Sequence, residues 1–251
     1  MAIWGVIPAA GSGTRMMSAV PKQYLALHGE SMLLRSCRTL VNSPAIDGVV
    51  VVLANNDTGF TELPEDVRSK VVTTGGGATR AESVAEGVRE VINRAGESTW
   101  ALVHDAARPL LSTRDLVNLV SQVTQTNAGG GLLATPVHDT LKRCCSRSNS
   151  SGDQSDSERD LKQEDTVQTT VDRASLWQAQ TPQMFRAKEL LDAIAGARSA
   201  SVPITDEASA MEHAGMNPLL VQALDPNFKI TRSADLELAT AWLLSQTAAQ
   251  K

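Results

Sequence analysis

The feature that most restricts how this 251-residue chain can fold is its alternation of short apolar runs with longer amphipathic stretches. The apolar runs contain no regular polar positions, which is typical of parallel strands covered by helices on both faces. The stretches between them repeat apolar residues every three or four positions, as amphipathic helices do. These patterns predict an α/β fold with a doubly wound, mostly parallel sheet. The predicted strands are Ile3–Ile7, Val49–Leu53, Val71–Thr74, Ala101–Val103 and Gly131–Ala134.

Capping residues mark where several helices should begin. Thr79 and Glu82 have the spacing of a capping box, and Ser112 and Asp115 form a second such pair, so a helix is predicted after each. Apolar spacing in the last quarter of the chain predicts three helices and two short strands. The helices are expected near Lys188–Ala197, near Asp206–Ala214 and from Ser233, and the strands near Leu219–Ala223 and Lys229–Thr231.

A polar segment interrupts this pattern at residues 144–165. It contains one aliphatic residue, Leu161, among serines and charged side chains, and strand-like segments lie on both sides of it. Such a segment buries too little apolar surface to offset the entropy lost on ordering, so a disordered loop is predicted, inert from Ser146 to Lys162. We therefore interpret residues 1–251 as a single domain in which residues 137–175 form a β-arm that carries this insert.

Charge and cysteine content exclude some classes of protein. The chain has 28 acidic and 23 basic residues, a formal net charge of −5, which does not favour nonspecific nucleic-acid binding. No apolar run approaches the roughly 20 residues that a membrane helix requires, so no membrane association is expected. Three cysteines cannot build a disulfide framework, and no basic leader precedes the apolar start. These features predict a cytoplasmic protein.

A glycine-rich turn follows the first predicted strand, in the sequence Pro8-Ala-Ala-Gly-Ser-Gly-Thr-Arg-Met16. Backbone N–H groups of such a turn can approach a phosphate closely. The turn is not a Walker A loop, because no Gly-Lys-Ser/Thr closes it, and Met16 occupies the third glycine position of a dinucleotide-binding fingerprint. Two cations, Arg15 and Lys22, lie within or just after the turn and favour a polyphosphate ligand.

Further motifs follow in order along the chain, and together they carry a resemblance to a known family. They are Pro21-Lys-Gln-Tyr24, Gly76-Gly77 with Arg80 and Ser83, Val103-His-Asp-Ala-Ala-Arg-Pro109, Pro136-Val-His-Asp-Thr-Leu-Lys142, Val171-Asp-Arg173, Thr181-Pro-Gln183, Ile204-Thr-Asp-Glu-Ala-Ser-Ala210 and Phe228-Lys-Ile-Thr231. With the glycine turn, this set resembles the 2-C-methyl-D-erythritol 4-phosphate cytidylyltransferases over nearly the whole chain. The resemblance implies a Rossmann-like nucleotidyltransferase fold and transfer of a cytidylyl group from CTP to a sugar-alcohol phosphate, with Mg²⁺ as cofactor.

The resemblance assigns the CTP side of the site. It implies that Arg15 and Lys22 are catalytic, contacting the triphosphate and stabilising charge at the α-phosphorus. Asp105 is expected near the ribose and as a ligand of a Mg²⁺ ion that the triphosphate mostly holds. The remaining CTP-binding residues provide backbone contacts or select the cytosine. They are Pro8, Ala9, Ala10, Gly11, Gly13, Gly76, Gly77, Ser83 and Ala106.

The resemblance also assigns the acceptor side and an assembly. Arg173 and Lys229 are expected to hold the attacking phosphate, as a fork donor and a point charge respectively. In the family the arm crosses to a partner subunit and brings the arginine matching Arg173 to its site, which implies a homodimer. The other acceptor-binding residues are expected to be Thr140, Thr181, Thr205 and Asp225.

Several alternatives stay open at the level of sequence. A ribitol-5-phosphate cytidylyltransferase would use the same scaffold, and spacing does not distinguish a pentitol from a branched tetritol. A nucleotide-binding module without turnover is disfavoured by the joint presence of Arg15, Lys22, Arg173 and Lys229. His104-Asp105 and His138-Asp139 follow strands, whereas metal-dependent phosphohydrolases place such pairs on helices. Cys144-Cys145 lacks the spacing of a zinc or redox site.

Overall fold

The computed structural model describes residues 1–11, 20–126, 128–145 and 166–249, and the statements on structure below concern those residues. Strands and helices alternate along most of the chain. The strands are β1 (Ile3–Pro8), β2 (Ala26–Leu27), β3 (Glu30–Ser31), β4 (Gly48–Leu53), β5 (Val71–Gly75), β6 (Trp100–Val103), β7 (Gly130–Pro136), β8 (Leu141–Cys144), β9 (Val167–Val171), β10 (Trp177–Arg186) and β11 (Leu219–Gln222). The α-helices are α1 (Met32–Val41), α2 (Glu65–Arg68), α3 (Arg80–Ala95), α4 (Thr113–Gln125), α5 (Ala187–Ser199), α6 (Glu207–His213) and α7 (Ser233–Ala249), and short 3₁₀ turns lie at Lys22–Tyr24 and Gly59–Glu62.

A mixed, mostly parallel sheet organises these elements. In the described residues it has seven strands in the order β11-β7-β10-β6-β1-β4-β5. Strand β1 pairs in parallel with β4 and β6, β4 with β5, and β11 with β7, whereas β10 runs antiparallel to β6. The five strands predicted from apolar runs all belong to this sheet, so the predicted α/β fold class is confirmed.

The valine run of β4 shows why these strands lack polar positions. Successive strand residues point to opposite faces, and here both faces are buried. Val49 and Val51 pack in the cluster that contains Leu33 of α1 and Leu116 of α4. Val50 and Val52 pack on the other face, in the cluster built largely by α3, α5 and α6. The sheet is therefore doubly wound. In such sheets, ligands bind at the carboxyl ends of the strands.

Close packing of α3 on the sheet depends on a glycine. A Cβ built on Gly87 would lie 2.5 Å from a methyl group of Val6 and 2.8 Å from one of Val52. Both neighbours are side chains of buried strands, so neither can move away without disturbing the core. Gly87 thus lets the helix backbone approach the sheet, and this approach fixes the start of α3 near the carboxyl ends of β1 and β4.

The two predicted capping pairs have different outcomes. The Thr79 and Glu82 pair forms a full capping box at the start of α3, as predicted. At α4 the Ser112 side chain caps the helix, but the buried carboxylate of Asp115 turns elsewhere. It accepts hydrogen bonds from the backbone N–H groups of Leu224 and Asp225 at 2.9 and 3.1 Å. Asp115 therefore fixes the segment that leads to Lys229 rather than completing a box.

The prediction of a strand at Lys229–Thr231 is wrong. This segment is irregular, and Ile230 donates its backbone N–H to the carbonyl of Ala107 at 2.9 Å. Such a single contact anchors the segment beside the loop after β6 without forming a ladder. The three helices predicted in the last quarter of the chain are present as α5, α6 and α7, with Asp206 as the N-cap of α6.

Contacts divide the chain into two compact units, Met1–Ala134 with Ala179–Lys251, and Thr135–Gln178. Within the second unit, β8 and β9 pair antiparallel, and Cys145 donates its backbone N–H to the carbonyl of Thr166 at 3.1 Å. Most of the predicted polar insert, residues 146–165, lies outside the described residues. The single domain with an arm and a disordered insert stays a prediction. Among the helices described, none is long and apolar enough to cross a bilayer.

Candidate functional site

A cavity of about 240 Å³ lies in the first unit, beside the carboxyl ends of β1, β5 and β6. This is the edge at which open α/β sheets bind ligands. Its lining combines backbone-rich loops with three charged side chains that sequence analysis singled out, Lys22, Asp105 and Lys229. The other predicted residues in the lining are Pro8, Ala9, Ala10, Gly11, Gly77, Ser83 and Ala106, and the lining residues not predicted are Gln23, Ala78, Thr79, Arg80 and Ala107.

The loop after β5 packs so closely against its neighbours that Gly76 and Gly77 have no space for a Cβ atom. A Cβ on Gly76 would lie 2.5 Å from the Cβ of Ala10 and 2.9 Å from Oγ of Ser83. The backbone N–H of Gly76 donates to the carbonyl of Leu53 at 2.8 Å, and that of Gly77 donates to Oγ of Ser83 at 3.2 Å. The two glycines therefore form a fixed wall between the first loop and the start of α3.

Asp105 is the carboxylate at the centre of the site. It is 6% exposed, and each of its two oxygens contacts a cation. Nε and Nη2 of Arg80 donate to Oδ1 at 3.0 and 2.8 Å, and Nζ of Lys229 lies 2.9 Å from Oδ2. Burial alone would raise the pKa of Asp105, but the charges of Arg80 and Lys229 outweigh it and hold that pKa well below its usual range. Asp105 is therefore ionised in the folded protein.

Arg80 also contacts a second carboxylate. Its Nη1 and Nη2 atoms donate to Oε1 and Oε2 of Glu207 at 2.7 and 3.2 Å. Burial would lower the pKa of Arg80, but Glu207 and Asp105 raise it above its usual value. Burial of Glu207 raises the pKa of that carboxyl group, and the charge of Arg80 opposes this. One guanidinium thus bridges the buried carboxylates of Asp105 and Glu207, which are far apart in the sequence.

A chain of hydrogen bonds through Thr181 and His104 fixes the backbone of Asp105. The Asp105 backbone N–H donates to Oγ1 of Thr181 at 3.0 Å, and that oxygen lies 3.1 Å from Nδ1 of His104. Nε2 of His104 lies 3.0 Å from the carbonyl of Arg108, which can only accept. His104 must therefore carry its proton on Nε2, and the Thr181 hydroxyl donates to Nδ1. The imidazole is neutral and fixes the loop after β6.

Thr181, which is predicted to bind the acceptor, also holds the loop that carries Asp105. Its side chain is 3% exposed, and its hydroxyl already uses both its proton and a lone pair within the protein. Its carbonyl accepts a hydrogen bond from Nδ2 of Asn227 at 2.7 Å. Thr181 therefore helps to position Asp105, and its contact with the acceptor stays a prediction.

His104 makes stability depend on pH in a defined window. Burial lowers its pKa from 6.5 to about 4. Between these values the unfolded chain binds a proton that the folded protein does not, so the free energy of unfolding should fall as pH decreases from 6.5 to 4. The maximum loss from this group is about 3 kcal/mol. Urea denaturation at several pH values should show a shallower loss in His104→Gln, whereas the exposed His213→Gln should behave as wild type. Equal slopes in wild type and His104→Gln would contradict this role.

The remaining predicted residues are distributed unevenly. Thr205 is exposed and Asp225 half-buried, and neither is among the cavity-lining residues. Thr140 and Arg173 belong to the second unit, where a guanidinium N–H of Arg173 donates to the carbonyl of His138. Gly13 and Arg15 lie outside the described residues. The structure therefore brings together much of the predicted CTP side, and of the predicted acceptor residues Lys229 lines the same cavity while Thr181 lies behind Asp105.

Sequence reasoning missed four side chains of this site. Arg80 was noted as part of a motif but received no role, and Glu207, His104 and Gln23 were not assigned to the site. Gln23 is buried and donates from Nε2 to the carbonyl of Ala9 at 2.9 Å, which ties the 3₁₀ turn carrying Lys22 to the first loop. The only sequence signal for them is their place inside the quoted motifs, next to residues that were assigned.

The donor atoms present do not fit a metal ion held by the protein. Among the described residues, no group of three or more His, Cys, Asp or Glu side chains could hold one. Asp105 is the carboxylate in the cavity lining, and both of its oxygens face cations. Divalent cations such as Mg²⁺ need oxygen ligands that are free to coordinate. Asp105 is an ion-pair partner of Arg80 and Lys229, and neither of its oxygens is free to coordinate a metal ion.

Comparison with known proteins identifies relatives over the full length. Residues 3–245 match the family model described as 2-C-methyl-D-erythritol 4-phosphate cytidylyltransferase. The chain is 41% identical over 251 residues to a protein of that name from Pseudomonas putida, covering 100% of this chain and 97% of the relative. It is 40% identical over 238 residues to one from Vibrio vulnificus, covering 95% and 93%.

Solved structures of similarly named proteins also resemble this chain. A crystal structure of 4-diphosphocytidyl-2C-methyl-D-erythritol synthase superposes with a TM-score of 0.77 at 35% identity, covering 96% of this chain and 98% of that one. The Francisella tularensis 2-C-methyl-D-erythritol 4-phosphate cytidylyltransferase superposes with a TM-score of 0.75 at 32% identity, covering 96% and 99%. Both likenesses cover nearly the whole of this chain.

Proposed function

The chain belongs to the 2-C-methyl-D-erythritol 4-phosphate cytidylyltransferase family, and from that premise we propose how its residues divide the work of the reaction. The enzyme transfers a cytidylyl group from CTP to 2-C-methyl-D-erythritol 4-phosphate in isoprenoid precursor synthesis. A phosphate oxygen of the acceptor attacks the α-phosphorus of CTP, the bond from that phosphorus to the bridging oxygen breaks, and pyrophosphate leaves. The product is 4-diphosphocytidyl-2-C-methyl-D-erythritol.

Such a step needs positioning and charge stabilisation more than covalent help. A phosphate monoester is already largely ionised at neutral pH, so the attack requires no general base. Lys22, with Arg15, neutralises the triphosphate and the charge that grows at the α-phosphorus. Lys229, with Arg173, holds the acceptor phosphate, while Asp105 and Ala106 meet the ribose.

One observation carries this proposal: Lys22, Asp105 and Lys229 line one cavity at the carboxyl edge of the sheet. A cavity with two ammonium groups suits the meeting of two anionic phosphates, since it offsets their mutual repulsion. The first loop is proposed to contact the nucleotide and its phosphates through backbone groups of Pro8, Ala9, Ala10, Gly11 and Gly13. Gly76, Gly77 and Ser83 are proposed to select the cytosine, and two of them, Gly77 and Ser83, line this cavity.

Lys229 changes partner in this mechanism. Its ammonium group lies 2.9 Å from the Asp105 carboxylate and its side chain is 43% exposed. An arriving phosphate dianion offers a stronger partner, so Lys229 moves toward it and Oδ2 of Asp105 becomes available to the nucleotide. Thr140, Thr205 and Asp225 are proposed to contact the acceptor hydroxyls, and Thr181 acts on this half of the site through Asp105.

The metal, the assembly and the location are proposed on different grounds. The triphosphate oxygens would be the main ligands of Mg²⁺, which would neutralise phosphate charge there, because the described side chains do not provide a ligand set for it. A homodimer would bring Arg173 of one arm to the acceptor phosphate of the other protomer. A cytoplasmic location suits the free thiols of Cys37 and Cys145.

Substrate choice tests the function directly. Pyrophosphate release is expected with CTP and 2-C-methyl-D-erythritol 4-phosphate in Mg²⁺ buffer, and much slower release with ATP, GTP or ribitol 5-phosphate. The reason is the assignment of Gly76, Gly77 and Ser83 to cytosine selection, since a pocket that fits a pyrimidine is too small for a purine. A coupled pyrophosphate assay with each pair measures this. Faster turnover with ribitol 5-phosphate would instead favour the ribitol-5-phosphate cytidylyltransferase.

Replacing residues 146–165 by a four-residue Gly/Ser linker should leave turnover within a few-fold of wild type. Cys145 and Thr166 are joined by a backbone hydrogen bond of 3.1 Å, so a short turn can connect them. A loop five times shorter also reduces the entropy of closure by about 1.4 kcal/mol, so Tm should stay equal or rise. Steady-state rates, Tm and sedimentation would measure this. A folded variant that loses activity or its dimer would show that the insert organises the arm.

A further inference from the structure

Arg80 is held in place from both of its hydrogen-bonding edges. Its Nε and Nη2 atoms face a single oxygen of Asp105, and its Nη1 and Nη2 atoms face both oxygens of Glu207. A guanidinium is planar and rigid, so fixing one edge fixes the direction of the other. The Glu207 side chain, 2% exposed, therefore sets the plane in which Asp105 receives its hydrogen bonds.

Glu207 is itself firmly anchored. It is the first residue of α6, whose N-cap residue, Asp206, closes a capping box with Ser209. The buried side chain of Gln183 on β10 accepts from the backbone N–H of Ala208 at 2.7 Å and donates to Oδ2 of Asp206 at 2.8 Å. The carboxylate of Glu207 is thus fixed relative to the sheet, and Arg80 carries that fixed position to Asp105.

We propose that Glu207 is a positioning residue for the nucleotide: through Arg80 it holds the Asp105 carboxylate in the orientation that meets the ribose of CTP. This inference rests on the proposed contact of Asp105 with CTP. Glu207 occupies the outer edge of the guanidinium, so Arg80 contacts Oδ1 of Asp105 and leaves Oδ2 to Lys229. Without the Glu207 charge, Arg80 is free to turn that edge toward Asp105 and to engage both of its oxygens.

The positioning role of Glu207 depends on its charge as well as on its hydrogen bonds to Arg80. Arg80 and Lys229 carry two positive charges, which balance those of Asp105 and Glu207 when both carboxyl groups are ionised, and the two carboxyl groups are the buried members of this cluster. Removal of one carboxylate leaves an excess cation next to Asp105 in a region of low dielectric constant. That cation would compete with the nucleotide for the same carboxylate, which predicts weaker CTP binding with little effect on the chemical step.

The test is a double-mutant cycle between Glu207→Gln and Asp105→Asn, with Glu212→Gln as control because Glu212 is exposed on the same helix. Glu207→Gln should raise the KM for CTP about tenfold and change kcat and the KM for the acceptor less than about threefold. Asp105→Asn should raise the KM for CTP at least as much. In the Asp105→Asn background, Glu207→Gln should add less than about twofold, because no carboxylate is left to position.

Each other outcome has a defined meaning. A KM for CTP that stays near wild type in Glu207→Gln but rises in Asp105→Asn overturns the positioning role and leaves the proposed function intact. Equal effects of Glu207→Gln in both backgrounds also overturn it. An unchanged KM in Asp105→Asn removes the proposed contact with CTP, and the inference fails with it. Where Glu207→Gln does not fold, Arg80→Lys replaces it in the cycle, since one ammonium group cannot bridge both carboxylates, and the same results decide.

Discussion

Replacing Lys22 by alanine is expected to lower kcat by about 10²–10³-fold, with a much smaller change in the KM for CTP. Lys22 begins the 3₁₀ turn Lys22–Tyr24 and lines the cavity at the carboxyl edge of the sheet. Negative charge at the α-phosphorus increases as the acceptor phosphate approaches. A cation that acts at this point stabilises the transition state more than bound CTP, so its loss reduces the chemical step selectively.

Two further variants make the Lys22 prediction specific. Lys22→Arg keeps the charge but presents it as a planar fork, so part of the activity should return. Lys70→Ala removes an exposed lysine of the same unit and should leave kcat unchanged. Single-turnover measurements with saturating CTP would separate chemistry from product release. A kcat for Lys22→Ala within about threefold of wild type would exclude the proposed catalytic role.

Replacing Lys229 by alanine is expected to raise the KM for the acceptor by about 10–100-fold, because a hydrogen bond to a charged group contributes about 1.5–3 kcal/mol. The KM for CTP should change less, since Arg80 still holds Oδ1 of Asp105. Steady-state kinetics with each substrate varied in turn would give the two constants. Lys229→Arg should restore part of the acceptor affinity.

The same measurement separates two roles for Lys229. Its ammonium group contacts Asp105, so a loss could act through that carboxylate instead of through the acceptor phosphate. Action through Asp105 would raise the KM for CTP as much as the KM for the acceptor. Equal changes in the two constants would therefore contradict direct binding of the acceptor phosphate by Lys229.

Local patterns predicted the fold because the forces that select strands and helices act over a few residues. The valine run of β4 has no polar position because both of its faces are buried, and this is visible in sequence. The capping box of Thr79 and Glu82 is also local and forms as predicted. The strand prediction at Lys229–Thr231 is wrong because Ile230 is buried by a cluster of side chains from the loop after β6, α7 and β2, without pairing in a strand ladder.

The network around Asp105 could not be predicted from spacing. Arg80 and Glu207 are 127 residues apart, and Asp105 and Thr181 are 76 apart. No periodicity connects such pairs, and only the order of strands in the sheet brings them together. Asp115 shows the same limit, because its capping position was recognised while its bonds to Leu224 and Asp225, more than 100 residues away, were not. Residue types were thus predictable, whereas their partners required the fold.

The zero net charge of the Arg80, Lys229, Asp105 and Glu207 cluster bears on how fast CTP reaches the enzyme. Opposite charges that lie a few ångström apart produce a field that decays steeply with distance, so this cluster acts on a ligand only at contact. At longer range an approaching nucleotide meets a protein with a formal charge of −5, which repels it. Dissolved salt screens that repulsion over about 10 Å at 0.1 M. Moderate ionic strength should therefore accelerate the encounter with CTP, the reverse of what is usual for an electrostatically steered enzyme.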